Sequence, residues 1–341
     1  LPGGSTYESW WGYDSLPKLN SRLPAVRDYI YASGPGAVAT FWMQWADGWR
    51  LDVGGDVDPG LLSDPANTYW EEFRMAVLKV NPDAYIVGEE WGNASSWLLG
   101  DEWDAVMNYQ FSTAALGFWR DSTFTDNDHN AGSSAGLIEP LAPSQLDNRL
   151  RNLEERYPPE AFQAMLNLFG SHDTSRTLFM LDENTDLNDA SLYANPNYDW
   201  NDAITRLKGA VILQMTLPGA PTIYYGDEVG LVGPMAYAGG KWEDDPYNRQ
   251  PYPWLDQTGT PYYTHLQSSP SQNNLLSYYK LLTSTRNAHP ALRTGTFDPL
   301  LVDDPNLVYA YGRRSFEAAD AAIIILNRSP LSQSVSLDLS G

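Results

Sequence analysis

The fold is decided first by the stretch GWRLDV, residues 48–53, in which apolar and charged side chains alternate. A period of two predicts a β-strand with Arg50 and Asp52 on one face and the apolar side chains on the other. A guanidinium beside the Asp52 carboxylate favours its ionised form, as a nucleophile requires. A structural ion pair at the end of a strand explains this spacing equally well when the stretch is taken alone.

Strands and helical patterns alternate after this first strand. A helix is predicted to begin with a cap at Asp64 and Pro65 and to end at Asn81, with one apolar face made of Trp70, Phe73, Val77 and Val80. Further strands are predicted over residues 85–89, 105–109, 165–169 and 221–225. Five strands separated by helical patterns predict a parallel α/β fold.

The pattern changes near residue 300. Short strands are predicted over residues 307–311, 321–326 and 335–339, with no helical pattern between them. Consecutive strands of this kind indicate the start of an antiparallel β domain.

The composition argues against several classes of protein. The formal charge of −22, from 43 acidic and 21 basic residues, makes nucleic acid and membrane surfaces poor partners and favours a neutral ligand. The absence of cysteine excludes disulfides, thiolate metal sites and cysteine nucleophiles within this chain. No apolar run reaches the roughly 20 residues that span a bilayer. An acidic, lysine-poor surface can aid solubility in salt or outside a cell without identifying either setting. An extracellular location is expected, with a cytoplasmic one as the alternative.

The second predicted strand ends in two carboxylates and an indole, at Glu89, Glu90 and Trp91. Parallel α/β barrels place catalytic groups at the carboxyl ends of their strands, and a carboxyl group against an aromatic wall can act as an acid near neutral pH. Alternation puts Glu89 and Glu90 on opposite sides and does not show which points inward. Two acidic residues at the start of a loop are the simpler alternative.

The stretch NLFGSHDT, residues 167–174, also ends in polar side chains. The imidazole of His172 can donate a hydrogen bond to a sugar hydroxyl, and the Asp173 carboxylate can bind hydroxyls as positive charge develops on the ring. A His-Asp pair alone is usually structural. Three strand ends that carry Asp, Glu and Asp favour glycoside hydrolysis, and 13 Trp and 21 Tyr offer flat faces for sugar rings.

Together these three stretches resemble the second, third and fourth conserved regions of glycoside hydrolase family 13, the α-amylase family. The resemblance extends to residues 7–19, 221–228 and 245–249, and it is strongest to neopullulanases, cyclomaltodextrinases and amylopullulanases. It implies a retaining glycoside hydrolase that forms a covalent glucosyl-enzyme intermediate. The implied substrates are starch, pullulan, cyclodextrins or maltooligosaccharides, cleaved at α-1,4 bonds, with α-1,6 bonds as a further candidate.

The resemblance implies a role for each catalytic carboxylate. Asp52 attacks the anomeric carbon, Glu89 rather than Glu90 protonates the leaving oxygen, and Asp173 stabilises the oxocarbenium-like transition state. A retaining reaction needs the Asp52 and Glu89 carboxyl groups to lie roughly 5 to 5.5 Å apart. The implied substrate-binding residues are Arg50, His172, Trp91, Asp56, Asp245 and Arg249.

Asp56 departs from the common α-amylase pattern. Many α-amylases have Lys-His in this segment and neopullulanases often have Asn-Glu, whereas this chain has GGD at residues 54–56. The acidic Asp56 is closer to the neopullulanase choice. This favours an enzyme that accepts branched or α-1,6-linked glucan.

The first conserved region of the family, an Asp-x-x-x-Asn-His segment, does not occur upstream of Asp52. The resemblance accounts for strands four to eight of a TIM (β/α)8 barrel, and five strands cannot close such a barrel. We therefore expect a fragment that is inactive alone, with the missing N-terminal fragment of the same protein as its partner. Its predicted parts are the end of an inserted domain B region (1–20), a partial catalytic domain (21–300) and the start of a C-terminal β-sandwich domain (301–341).

Other functions remain open at this point. The same carboxylates serve α-glucan transglycosylases and branching enzymes, and a non-catalytic glucan-binding member would keep the fold. A metal-dependent hydrolase fits less well, because the four histidines show no ligand spacing. The chemistry requires no cofactor, and the fold allows structural calcium with ligands that the sequence does not identify. A homodimer is an alternative to a monomer.

Overall fold

The computed structural model describes residues 6–58, 67–184, 188–193, 195, 197–233, 235–260, 273–317 and 319–339. The chain divides into two compact units. The first comprises Leu1–Glu90 and Ala94–Val106, and the second comprises Trp91–Asn93 and Met107–Gly341. Among the described residues, no helix is long and apolar enough to cross a membrane.

The first unit is built on a three-stranded parallel sheet. Its strands are β1 (Gly48–Leu51), β2 (Tyr85–Gly88) and β3 (Ala105–Val106), in that order. Leu51 is paired with Gly88 in the register of β1 and β2. Asp52 and Glu89, the next residue of each strand, therefore emerge at the same edge of this sheet.

Helices cover this sheet in the first unit. They are α1 (Pro24–Arg27), α2 (Val38–Trp42), α3 (Gly54–Val57) and α4 (Tyr69–Val80), with a 3-10 turn at Trp10–Gly12 and a π turn at Asp28–Ala32. Helix α4 ends before Asn81, as predicted, and its apolar face is buried at Trp70, Phe73 and Val77. Val80 is exposed, contrary to the prediction, because it is the last residue of the helix. The predicted cap at Asp64 and Pro65 lies outside the described residues, and the helix begins later than predicted, at Tyr69.

The second unit contains the parallel strands β4 (Leu166–Leu168) and β5 (Ala220–Thr222), and Met107 forms a parallel bridge to Leu166. Strand pairing before Tyr109 is shorter than predicted because Asn108 caps a helix: its side-chain oxygen accepts the N–H of Phe111 at 3.1 Å. The helices of this unit are α5 (Tyr109–Phe118), α6 (Pro143–Arg156), α7 (Pro159–Ala164), α8 (Thr177–Met180), α9 (Ala190–Tyr193), α10 (Asn201–Thr216), α11 (Asn273–Ala288) and α12 (Pro290–Thr294). A 3-10 turn spans Asp227–Val229.

Two antiparallel sheets complete the second unit. A hairpin joins β6 (Ala236–Ala238) to β7 (Lys241–Glu243), and β8 (Asp298–Asp303), β9 (Val308–Arg314) and β10 (Ala321–Asn327) form a meander. Strand β8 was not predicted from the sequence. The predicted strand over residues 335–339 was wrong: this segment alternates as a strand would, yet it pairs with no strand in the described part of the chain.

Buried arginines hold the end of α10 in place. Arg286 donates to the carbonyl oxygens of Met215 at 2.9 Å and Leu217 at 3.1 Å, and Arg313 donates to that of Thr216. These carbonyl groups belong to the last turn of the helix and the residue after it, where the backbone has no helical partner. Cations at a helix C-terminus are also favoured by the helix dipole.

Candidate active site

Arg50 connects two of the predicted catalytic carboxylates. Its Nη1 is paired with Asp52 Oδ1, and its Nη2 lies 3.0 Å from Glu89 Oε2. The two terminal nitrogens share one carbon atom, so a single guanidinium brings both carboxyl groups to one place. The two carboxylates differ in environment: the Asp52 side chain is 75% exposed, whereas that of Glu89 is 7% exposed.

The backbone after Asp52 turns sharply and adds a contact to Glu89. Val53 adopts a left-handed conformation with φ of 41°, which is rare for a β-branched residue. In this conformation its N–H donates to Glu89 Oε2 at 2.9 Å. The N–H of Glu89 in turn donates to the carbonyl oxygen of Leu51 at 3.0 Å. The carboxyl group that sequence alternation could not orient is therefore fixed against β1.

The glycines of this region make room for Trp103. A Cβ atom on Gly88 would lie 2.2 Å from the Trp103 ring, and one on Gly54 would lie 2.6 Å from it. Trp103 is also stacked on Trp97, with ring centroids 4.9 Å apart. The backbone that carries Asp52 and Glu89 thus packs directly on indole rings, and this contact requires residues without side chains.

Asp56 lies in the first turn after this corner, in α3. Its Oδ2 accepts the indole N–H of Trp10 at 2.9 Å. Trp10 belongs to the aromatic stretch at residues 7–19, so the hydrogen bond joins two sequence features that were predicted separately. The neighbouring Trp11 is 82% exposed, which leaves its ring free to meet a ligand.

Asp173 lies in the second unit, within a network of its own. His172 Nε2 is 3.1 Å from Asp173 Oδ2, and Arg249 Nη2 is 3.6 Å from Asp173 Oδ1. Arg249 also pairs with Asp245 at 2.9 Å. The side chain of Asn248 donates to the carbonyl oxygen of His172 at 2.9 Å. Four predicted residues of the second unit, Asp173, His172, Arg249 and Asp245, are thus joined in one group.

Trp91 is stacked on Tyr109 in the second unit, with ring centroids 3.7 Å apart and planes within 5°. The hydroxyl group of Tyr109 donates to Ser171 at 3.1 Å, beside the predicted third motif. One face of Trp91 is therefore occupied by Tyr109. The ring of Trp91 also lies 5.9 Å from that of His129, and Trp91 remains partly exposed.

A carboxyl pair near Asp173, formed by Asp128 and Asp244, was not predicted from the sequence. Burial and the nearby carboxylates of Asp244 and Asp126 raise the pKa of Asp128 to about 8. Asp244 is buried, and its Oδ2 accepts the Asn248 side chain at 3.4 Å. The available signal was the position of Asp244, directly before the DPYNR stretch at residues 245–249.

One cluster of acidic side chains could hold a metal ion. Within the described ranges, a single group brings three such ligand atoms to within 4.8 Å of one another: Asp58, Glu71 and Glu102, all in the first unit. None of these residues was identified from the sequence.

A family model described as the α-amylase catalytic domain matches residues 6–295. The chain belongs to the α-amylase family. This membership confirms the resemblance inferred from the three motifs and assigns the chain to a family of TIM-barrel enzymes with a C-terminal domain. The match does not show which strands of the barrel this chain supplies, so the assignment to strands four to eight stays a prediction.

Several α-amylase family members are similar to nearly the whole chain. An amylopullulanase from Thermoanaerobacter thermohydrosulfuricus is 36% identical, over 98% of the chain and 21% of its own length. A cyclomaltodextrinase from Bacillus sp is 32% identical, over 96% of the chain and 46% of its own length. A solved debranching enzyme from Nostoc punctiforme is 28% identical with a TM-score of 0.74, over 98% of the chain and 57% of that structure. The chain therefore spans less than half the length of these two curated relatives.

Proposed function

We propose that the protein carrying this chain is a retaining α-glucan hydrolase. The observation that carries the proposal is the pairing of Asp52 and Glu89 with one guanidinium, that of Arg50. Retaining glycosidases need a nucleophilic carboxylate and an acid close together, whereas inverting enzymes separate them to make room for water. The names of the relatives, amylopullulanase and cyclomaltodextrinase, support α-glucan as the substrate.

The proposed reaction uses the two carboxyl groups in sequence. The Asp52 carboxylate forms a bond to the anomeric carbon while the bond from that carbon to the leaving oxygen breaks, and Glu89 gives its proton to that oxygen. A water molecule then attacks the anomeric carbon, Glu89 takes up a proton from the water, and the bond to Asp52 breaks. The exposed Asp52 suits attack on a bound substrate, and Arg50 is paired with its carboxylate.

Asp173 is assigned to the third role, stabilisation of the positively charged ring, on the strength of its motif. Two features of the second unit support this. His172 and Arg249 hold its carboxylate, and Asp245 binds the same arginine. His172, Arg249 and Asp245 are proposed to bind sugar hydroxyl groups, as Trp91 is to stack on a ring.

We assign to Asp56 the preference between α-1,4 and α-1,6 glucosidic bonds. This residue was predicted to favour branched or α-1,6-linked glucan, and its hydrogen bond from Trp10 fixes the carboxylate beside an aromatic stretch. We expect Asp56→His to lower turnover of pullulan relative to that of an unbranched maltooligosaccharide. An unchanged ratio of the two rates would remove the basis for this assignment.

The proposal includes the barrel itself. β1 to β5 are assigned to strands four to eight of the TIM barrel, residues 301–341 to the C-terminal domain, and the remaining strands to another segment of the same protein. An extracellular location also remains part of the proposal. Intact mass and chain count of the purified protein test the fragment assignment, because a second segment must accompany this chain in the active material.

The test of the chemistry is reducing-sugar release from pullulan, starch and cyclodextrin by purified protein that contains this chain. Glu89→Gln should abolish release, and Glu90→Gln is the matched control that should retain it. Incubation with a 2-fluoroglucoside should label Asp52 covalently, as mass spectrometry of its peptide would show. Full activity of Glu89→Gln, or a product of inverted anomeric configuration, would overturn the proposal.

A further inference from the structure

A second group of carboxylates lies in the first unit, apart from Asp52 and Glu89. Asp58 follows α3, Glu71 is in the first turn of α4, and Glu102 precedes β3, so three separate segments converge. One carboxylate oxygen from each residue lies within 4.8 Å of the other two. Asp58 is completely buried, Glu102 is 5% exposed, and Glu71 is half-buried. Three negative groups therefore meet in a place that water reaches poorly.

No described arginine or lysine neutralises the two glutamates of this group. Arg74, one turn from Glu71, pairs with Asp104 at 2.8 Å and reaches only the backbone oxygen of Glu102, at 3.4 Å. Glu71 Oε2 and Glu102 Oε2 are both buried and have no hydrogen-bond partner among the described residues. A buried carboxylate oxygen without a partner is strongly unfavourable, so the arrangement calls for a positive ligand.

Asp58 is better satisfied than the two glutamates. Its Oδ2 accepts the N–H of Tyr69 at 3.1 Å, at the first residue of α4, and its carbonyl oxygen accepts the indole N–H of Trp97 at 2.9 Å. The position of this carboxylate is thus fixed by the protein. It presents its charge to Glu71 and Glu102, which lie beside it.

From the donors and their spacing we propose that Asp58, Glu71 and Glu102 form a calcium site. All three ligands are carboxylate oxygen atoms, which calcium prefers. Magnesium usually keeps several waters and takes only one or two carboxylates from the protein. A set of three protein carboxylates therefore suits calcium better.

The proposed ion has a structural role. It joins the segment that follows Asp52 and α3 to the start of α4 and to the segment before β3, which are far apart in the sequence. It also removes the repulsion among three carboxylates. Calcium bound in this way stabilises the folded unit without touching Arg50, Asp52 or Glu89, so the inference is independent of the proposed reaction.

The experiment compares wild type with Glu102→Gln and Glu71→Gln, and with Glu155→Gln as a matched control on the exposed face of α6. Protein is stripped with a chelator and titrated with terbium, whose emission the neighbouring Trp70, Trp97 and Trp103 can sensitise, and calcium is then added in competition. We expect wild type and the control to bind one terbium ion that calcium displaces. Both variants at the site should bind at least about tenfold more weakly, because each loses a charged ligand.

Thermal unfolding gives a second readout: the difference in unfolding temperature between Glu102→Gln and wild type should change sign when calcium is added. In chelator, Glu102→Gln should unfold at a higher temperature than wild type, because the substitution removes buried negative charge. With excess calcium the order should reverse, because only wild type gains the stabilisation from binding. The inference is overturned if calcium leaves the unfolding temperature of wild type unchanged, or if Glu71→Gln and Glu102→Gln both bind terbium as wild type does.

Discussion

Arg50 Nη2 lies 3.0 Å from Glu89 Oε2 while Nη1 of the same residue is paired with Asp52 Oδ1. A planar guanidinium can serve two carboxylates at once, because its nitrogen atoms diverge in a fixed plane. An ammonium group on a flexible stem cannot reproduce that geometry. The relation between the proposed nucleophile and the proposed acid therefore depends on the identity of residue 50 as well as on its charge.

We accordingly expect Arg50→Lys to lower kcat on pullulan by about 10²-fold or more, since the substitution misplaces two reacting groups. Steady-state kinetics measures the loss, and circular dichroism checks the fold. Arg149→Lys, at a surface ion pair with Glu139, is the control and should keep full activity. A kcat for Arg50→Lys within twofold of wild type would show that the diverging nitrogen atoms of the guanidinium are not needed.

Val53 stores backbone strain at the corner after Asp52, with φ of 41°. Glycine adopts this conformation at little cost and keeps the N–H that binds Glu89. We expect Val53→Gly to raise the free energy of unfolding by about 1 kcal/mol, as the relief of strain exceeds the entropy lost by glycine. Urea unfolding measures the change.

The control for this prediction is Val302→Gly, at an exposed position in β8. The same substitution in an ordinary strand should lower the free energy of unfolding. Equal losses at both positions would show that Val53 is not strained.

Gly88 allows the backbone before Glu89 to touch Trp103. Because an added Cβ would lie 2.2 Å from the ring, Gly88→Ala should lower the free energy of unfolding by about 1 to 3 kcal/mol. Activity should fall as well, since the shift moves Glu89. Gly36→Ala is the comparison, as nothing lies within 4 Å of its added Cβ. The packing argument fails if the two variants are equally stable in urea.

Asp128 makes stability depend on pH in an unusual direction. Its folded pKa of about 8 lies above the value near 3.9 expected in the unfolded chain, so the folded state holds an additional proton between these limits. The contribution of this group to stability is present below about pH 4 and is lost as the pH rises through about 8.

Asp128→Asn should remove this contribution, because asparagine does not titrate. Between pH 5 and pH 8 the free energy of unfolding of the variant should therefore decline less than that of wild type, by the amount that follows from the difference in bound protons between the folded and unfolded states. Urea titrations at several pH values measure the difference. Asp83→Asn, at an exposed position, should follow wild type throughout. Parallel curves for wild type and Asp128→Asn would contradict the assignment.

Local periodicity explains why part of this chain could be predicted. Alternation in residues 48–53 predicted the pairing of Arg50 with Asp52 and a strand that, as β1, ends two residues earlier, at Leu51. Helical spacing predicted α4 up to Asn81. Both patterns reflect neighbours in the chain. The ends of elements were less accurate: Asn108 stops one strand by capping α5, and residues 335–339 alternate without any described strand to pair with.

By itself, the sequence determined the α-amylase family, the three motifs and the residue types available for chemistry, because these depend on order along the chain. Tertiary structure decided that Glu89, rather than Glu90, pairs with Arg50. It also placed the Asp128 carboxyl group beside that of Asp244. It alone brought Asp58, Glu71 and Glu102 together. The physical reason is that burial and charge act through space, between side chains whose separation in the sequence carries no signal of their contact.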